Sequence, residues 1–226
     1  MNPEAQKIIR KHHQITDIQA GETETSFCLD GKRFAIHMSG EFNVRNASMA
    51  IIAARQAGLD DETIAAGLIR FEGVARRQEE RGRVNDIVVI DDFAHHPTAI
   101  KKSIGAIRTR YEGYRVWGVF EPRSNTSCSD VFQNDLPKAL AQADFPVVAK
   151  AKTPKKGQKQ LDEPKLKQDI AQEGRDAYVG GSADEIAKYL VEHAQPHDVI
   201  LVMSNGGFDN IHNKILQGLE GKYSQD

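Results

Sequence analysis

Cysteine is nearly missing from this chain: Cys28 and Cys128 are the two present, a hundred positions apart. That separation excludes a Cys-x-x-Cys redox pair and a paired-cysteine zinc motif, and it fits a reduced, cytoplasmic setting. Long apolar runs are missing too. The longest, near Ile87 and Val199, fall far short of the ~20 residues that a membrane span needs. The start, Met1-Asn2-Pro3-Glu4-Ala5-Gln6-Lys7, has no apolar signal region and resembles no secretory leader. Nor does one sign of charge dominate. Thirty Lys and Arg face 32 Asp and Glu, for a net charge of −2, so no global basic field draws the chain to nucleic acid. Finally, nowhere does Gly-x-x-x-x-Gly-Lys-Ser/Thr occur, so these residues hold no P-loop to cradle a phosphate chain.

What is present centres on Val88-Val89-Ile90-Asp91-Asp92-Phe93-Ala94-His95-His96-Pro97-Thr98. Ile87 to Ile90 is a short β-branched run, as expected of a parallel strand covered on both faces. It stops on two carboxylates and two imidazoles, then turns at a proline into a helix. Ligands of open α/β sheets bind at the carboxyl ends of the strands. Three readings fit this stretch: aspartates that merely cap a turn, ligands for a divalent ion, or carboxylates that accept hydrogen bonds from a ribose.

With 226 residues, 39% of them hydrophobic, the chain can build one or two domains. Residues 4–13 read as a short polar helix. Thr25–Leu29 and Arg33–Met38 read as strands joined at Asp30-Gly31, a two-residue hairpin signal. A helix rich in small residues follows over Ala47–Ala54. Just before it, Asn43 and Asn46 lie three apart, on one face of a first turn. Asn43 reads either as an N-cap or, with Asn46, as an amide that recognises a base edge. Gly58 ends this helix and Asp60-Asp61 starts another, running to Phe71. Polar, strand-like residues lead to Val84, and Asn85-Asp86 turns the chain back into the central strand.

Beyond residue 98, strand and helix alternate. Ile100, Ile104 and Ile107 mark one helical face. Strands follow at Val116–Phe120, Phe145–Ala149, Ala177–Val179 and Val199–Met203. Helices are expected over Asp130–Ala143 (interrupted or restarted at Pro137), Lys165–Glu173, from a Ser182/Glu185 capping box, and from Asn210 to Leu219. About five strands with intervening helices over residues 74–226 make a doubly wound α/β domain. Its strand ends carry Asp91-Asp92, Glu121-Pro122-Arg123-Ser124-Asn125-Thr126, a basic loop at 150–157, Gly180-Gly181 and Ser204-Asn205-Gly206-Gly207-Phe208. So much polar chemistry at one sheet edge argues for a binding face.

Three segments in order resemble the Mur ligase family, the ATP-dependent amide-bond formers of peptidoglycan synthesis. Gly40-Glu41-Phe42-Asn43-Val44-Arg45-Asn46 resembles its Gly-x-His-Asn-x-x-Asn segment. Arg76-Arg77 resembles the arginine that opens its C-terminal domain. Asp91-Asp92-Phe93-Ala94-His95-His96-Pro97-Thr98 resembles its Asp-Asp-Tyr-x-His-His-Pro-Thr segment. Glu121-Pro122-Arg123-Ser124 and Met203 to Phe208 look like the recycling branch. That branch joins UDP-N-acetylmuramate to L-alanyl-γ-D-glutamyl-meso-diaminopimelate; a branch that adds L-alanine is the alternative.

The resemblance implies a Rossmann-like C-terminal domain over 74–226, preceded over 1–73 by a small α+β remnant of the central ATPase domain. It implies ATP and Mg²⁺ as cofactors, with the Mg²⁺ ligands in a part not included here, and marks this chain as the tail of a ligase. Phe42 stands where the family has a His. By motif position, Asn43 and Asn46 would contact adenine, Asp92 the ribose and Arg77 the phosphates, as the catalytic cation, with His95 close to the nucleotide. Arg123, Ser124, Asn205 and Gly206 would meet the amine substrate. Asp91, whose side chain alternates with that of Asp92, would be structural. A metal-dependent phosphoesterase built on Asp91, Asp92, His95 and His96, and a binding module without catalysis, are the rival readings.

Overall fold

The computed structural model describes residues 13–224; the expected helix at 4–13 lies outside them, His13 excepted. The chain divides into two compact units, one holding the described residues up to Val74 with Thr109–Glu112, the other Ala75–Arg108 and Gly113 onward.

In the first unit, β1 (Ile15–Ala20), β2 (Thr25–Leu29) and β3 (Lys32–Ile36) form an antiparallel sheet in that order. Asp30 and Gly31 turn β2 into β3 with φ of 53° and 79°, the left-handed pair that a two-residue hairpin needs. Phe27, Leu29, Phe34 and Ile36 are buried against Val44, Ala47, Ile51 and Ile52 of α1 (Glu41–Gln56) and Ile64 of α2 (Asp61–Arg70). Helix α1 begins at Glu41, six residues before the expected Ala47, with Gly40 as its N-cap. Helix α2 is capped by Asp60, whose carboxylate accepts from Thr63 N–H. The sequence reading missed β1. Most of Ile-Thr-Asp-Ile-Gln-Ala is exposed and its pairing is bulged, so no apolar alternation marks it; pairing with β2 makes it a strand.

The second unit holds a six-stranded sheet. Its strands are β4 (Glu79–Val84), β5 (Ile87–Asp92), β6 (Arg115–Phe120), β7 (Phe145–Val148), β8 (Tyr178–Val179) and β9 (Asp198–Met203). Their spatial order is β4-β5-β9-β6-β7-β8, antiparallel between β4 and β5 and parallel elsewhere. The strand last in sequence therefore sits between β5 and β6. Connecting helices are α3 (Pro97–Arg110), α4 (Leu136–Leu140), α5 (Glu163–Gln172), α6 (Ala183–His193) and α7 (Ile211–Tyr223). The helix expected over Asp130–Ala143 is instead a 3₁₀ turn at Asp130–Phe132 followed by α4, with Pro137 in its first turn. That is where a residue lacking an N–H is tolerated.

Alternation along the strands sorts their side chains between two layers. Ile87, Val89, Val119, Ile200 and Val202 pack against Ile186 and Leu190 of α6 and Ile211 and Ile215 of α7. Val88, Ile90, Phe120, Leu201 and Met203 are fully buried on the other face. There Gly118 admits the neighbouring layer closely: a Cβ on it would lie 2.8 Å from that of Ala143 and 3.6 Å from Ile104 Cδ1 of α3. By the same alternation, Asp91 faces α7 and Asp92 faces α3.

Candidate functional site

The carboxyl ends of β5, β9 and β6 lie side by side, in register at Asp92, Met203 and Phe120. Two backbone bonds stitch the segments beyond them: Ser204 N–H donates to Asp92 O, and Glu121 N–H to Met203 O, each at 3.0 Å.

Asp92 is 3% exposed. Its Oδ1 accepts from Ala94 N–H at 2.8 Å and from Ser103 Oγ of α3 at 2.9 Å; its Oδ2 accepts from Gln78 N–H at 3.1 Å. Burial raises its pKa despite these bonds and the charge of Arg77. The expectation of an Asp92 that faces a ligand while Asp91 alone is structural is thus modified. Both are buried, and Asp92 closes the turn after β5, so a ribose contact requires it to reorganise its bonding.

On the opposite face Asp91, 4% exposed, accepts from Arg76 Nε at 3.3 Å. His212 Nε2 of α7 lies 3.4 Å from its other oxygen, outside hydrogen-bond geometry. Burial by itself raises the pKa of Asp91, but His212 and Arg76 outweigh it and the net shift is downward. Nothing in the sequence distinguished His212, a single histidine in a helix, or gave Arg76 a task of its own. The two adjacent arginines differ: Arg76 is bonded within the fold, whereas Arg77 is exposed and in no ion pair within 4 Å among the described residues. Both guanidinium groups lie near the Phe93 ring, at 5.3 and 5.2 Å.

His95 Nδ1 is 2.9 Å from Phe93 O. A carbonyl only accepts, so Nδ1 carries a proton, and in the neutral ring Nε2 is the acceptor. His96 receives Ala99 N–H at the start of α3, and burial, then the charges of His95 and Lys102, push its pKa down. The four groups of the phosphoesterase reading do not converge. Among the described residues no group of three or more His, Cys, Asp or Glu side chains is placed to hold a metal ion.

Beyond β6, Ser124 Oγ is occupied by Ser127, whose N–H and hydroxyl it meets at 3.1 and 2.8 Å. Arg123 is exposed and lies 3.8 Å from the buried Glu121 carboxylate. Its guanidinium occupies the space beside Gly206, where an added Cβ would come within 2.4 Å. Asn205 Oδ1 is buried with no hydrogen-bond partner among the described residues, an open acceptor of a kind native folds rarely leave. Alongside, a cleft of about 820 Å³ opens at the ends of β7 and β8, lined by Glu121, Lys150, Lys152, Lys167, Gly181 and Asp209 among others. Lys152 lies 3.6 Å from Glu121. The structure therefore brings Arg123 and Gly206 together, with Ser124 turned to its own loop.

In the first unit, Asn43 is inside α1 and 9% exposed, donating from Nδ2 to Ser39 O at 2.8 Å. It is not the N-cap; that position is Gly40, with φ of 94°. Asn46 is exposed. The buried amide is tied to the backbone, and the exposed one is available.

Residues 76–206 match the family model described as Mur ligase, glutamate ligase domain. The chain is 36% identical over 219 residues to the UDP-N-acetylmuramate–L-alanyl-γ-D-glutamyl-meso-2,6-diaminoheptandioate ligase of Escherichia coli, covering 93% of this chain and 45% of that protein. It is 31% identical to the UDP-N-acetylmuramate–L-alanine ligase of Desulforamulus reducens, covering 83% of this chain and 40% of that one. Among solved structures, a murein peptide ligase from Psychrobacter arcticus is 32% identical with a TM-score of 0.59, covering 94% of this chain and 45% of that chain. The chain thus spans about half the length of the relatives it matches.

Proposed function

The chain belongs to the Mur ligase family, and from that premise we propose that it serves an ATP-dependent ligase joining UDP-N-acetylmuramate to L-alanyl-γ-D-glutamyl-meso-diaminopimelate. In this reading the second unit presents the amine substrate and supplies a cation to the nucleotide, and the first is the remnant of an ATPase domain. The higher identity to the tripeptide-adding relative than to the alanine-adding one supports the choice of branch. The observation that carries the substrate reading is Arg123 lying on Gly206, with a lysine-lined cleft next to it at Glu121.

The chemistry follows from those groups. A peptide rich in carboxylates is gripped by the Arg123 fork, whose planar donors match a carboxylate bidentately. Lys150, Lys152 and Lys167 offer further positive charge to its distal end. ATP, when bound, activates the acceptor carboxylate by phosphorylation. The fit of this chain to a nucleotide rests on Arg77, an exposed guanidinium free to offset phosphate charge. Asn46, in the first unit, is the exposed amide for adenine; in the second unit His95 lies just beyond β5. Asn43 and Asp92 are both buried and already bonded within the fold, so a nucleotide reaches them only where their surroundings open. No Mg²⁺ ligands are assigned within the described residues.

Titration calorimetry of the chain with the tripeptide, with L-alanine and with ADP tests this. The tripeptide should bind saturably and L-alanine should not. Arg123→Ala should weaken the tripeptide about ten- to a hundredfold, the loss of a charge-assisted interaction of roughly 1.5–3 kcal/mol. Equal binding of L-alanine would transfer the chain to the alanine-adding branch, and an Arg123→Ala chain of unchanged affinity would sink the proposed grip.

A further inference from the structure

We propose that Arg76 is a positioning residue: with Asp91 it locks the 204–206 loop into the platform on which Arg123 rests. One guanidinium spans three acceptors on two strand ends. Nε donates to Asp91 Oδ2 at 3.3 Å, and Nη2 donates to Ser204 O at 2.7 Å and Gly206 O at 2.6 Å. A planar fork can do this; the single ammonium of a lysine cannot match all three directions. Arg76 itself sits in the left-handed region, with φ of 62°, and its N–H is tied to Glu79 Oε2 at 2.8 Å. The backbone is thus held in an uncommon conformation at the residue whose side chain makes the lock.

The loop is gripped from both neighbouring strands. On the β5 side the grip is Arg76 with Asp91. On the β6 side Ser204 Oγ donates to the buried Glu121 carboxylate at 2.5 Å and accepts Gly206 N–H at 2.9 Å. Among the described residues Arg123 has no equally tight anchor of its own. Its nearest carboxylate is 3.8 Å away, while the backbone of Gly206 is in direct contact with its guanidinium. Whatever lets Gly206 move lets Arg123 move. Two adjacent arginines therefore divide the work, Arg76 spent inside the fold and Arg77 left exposed.

The consequence for carboxylate binding rests on the function proposed above, but the lock itself does not, so the test has two readouts on the full chain. Without ligand, amide hydrogen exchange and the ¹⁵Nε signal of Arg123 report the loop. In Arg76→Gln, Gly206 N–H should exchange at least about tenfold faster while Val89 and Leu201 stay within about twofold of the parent. Arg76→Lys should regain the parent melting temperature, because a positive charge again faces Asp91, yet leave Gly206 exchange fast. With the tripeptide as probe, both variants should bind about tenfold more weakly. Gly206 exchange and the Arg123 signal unchanged in Arg76→Gln would overturn the lock. Absence of tripeptide binding by the parent chain would instead count against the proposed function, with the exchange data still deciding the lock.

Discussion

Asp92 accepts three hydrogen bonds at 3% exposure, and burial still holds its pKa above the ordinary carboxylate value. A raised folded pKa means that the folded state favours the protonated form, so the stability this gives is present at low pH and is lost as pH rises through that value. Removing the side chain is a different matter. Asp92→Ala leaves Ala94 N–H, Ser103 Oγ and Gln78 N–H without their acceptor at a buried strand end. At roughly 1–3 kcal/mol for each buried unsatisfied donor, reduced by local relaxation, a net loss of about 3 kcal/mol is expected. In a chain of this size that lowers Tm by roughly 6–12 °C, readable in a thermal melt; a shift under about 2 °C would mean that the turn does not depend on Asp92. The sequence made Asp92 conspicuous as a member of a motif. It could not reveal the three donors, because Ser103 comes from a helical turn eleven residues on and Gln78 from the bend that precedes β4. His212 escaped for the same reason: its meaning lies wholly in the proximity of Asp91.

Asp144, just before β7, joins three other elements. It accepts from Val116 N–H of β6 at 2.9 Å, pairs with Arg108 of α3 at 2.8 Å and with Arg175, after α5, at 3.3 Å. Burial alone would raise its pKa; the Val116 bond and the two arginines outweigh it, and the net shift is downward. A depressed carboxylate contributes stability that is present above its unfolded pKa of about 3.9 and is lost as pH falls through the lower folded value. Asp144→Asn should therefore be less stable than the parent at pH 7, with a narrower gap at pH 3. Urea titrations at both pH values measure this; a gap that persists unchanged at low pH would show that charge is not its cause. Elements whose signal is local were legible beforehand. The Ser182 capping box forms with both of its bonds, and the turns at Asp30-Gly31 and Asn85-Asp86 take the left-handed φ expected of them. Strand β1 and the broken helix at 130–140 were not, since one depends on a partner strand and the other on how Pro137 is accommodated.

At the scale of the whole molecule, regular alternation of strand and helix was enough to read the doubly wound class, but not the position of β9. No local pattern says that the last strand of the chain lies between β5 and β6; parallel pairing over such separations is settled by what the two faces of a strand bury. That order bears on the birth of the protein as much as on its architecture. The first unit's buried apolar residues run from Phe27 to Ile64 and are all made before the second unit begins. The second cannot close its sheet until Met203 has been made, 83 residues after Phe120, a wait on the order of ten seconds at roughly 5–20 residues per second. During it β5 and β6 have an open edge each and no partner between them, the condition in which strands pair with the wrong chain. A chain stopped after His197 should accordingly keep the first unit's core but show no cooperative melting of the second, and stalled ribosomes carrying it should present that region to proteases. Cooperative melting of the stopped chain would mean that β5 and β6 can settle without the strand that separates them. The most buried strand of the protein is thus also its latest, and everything at the edge described above waits on it.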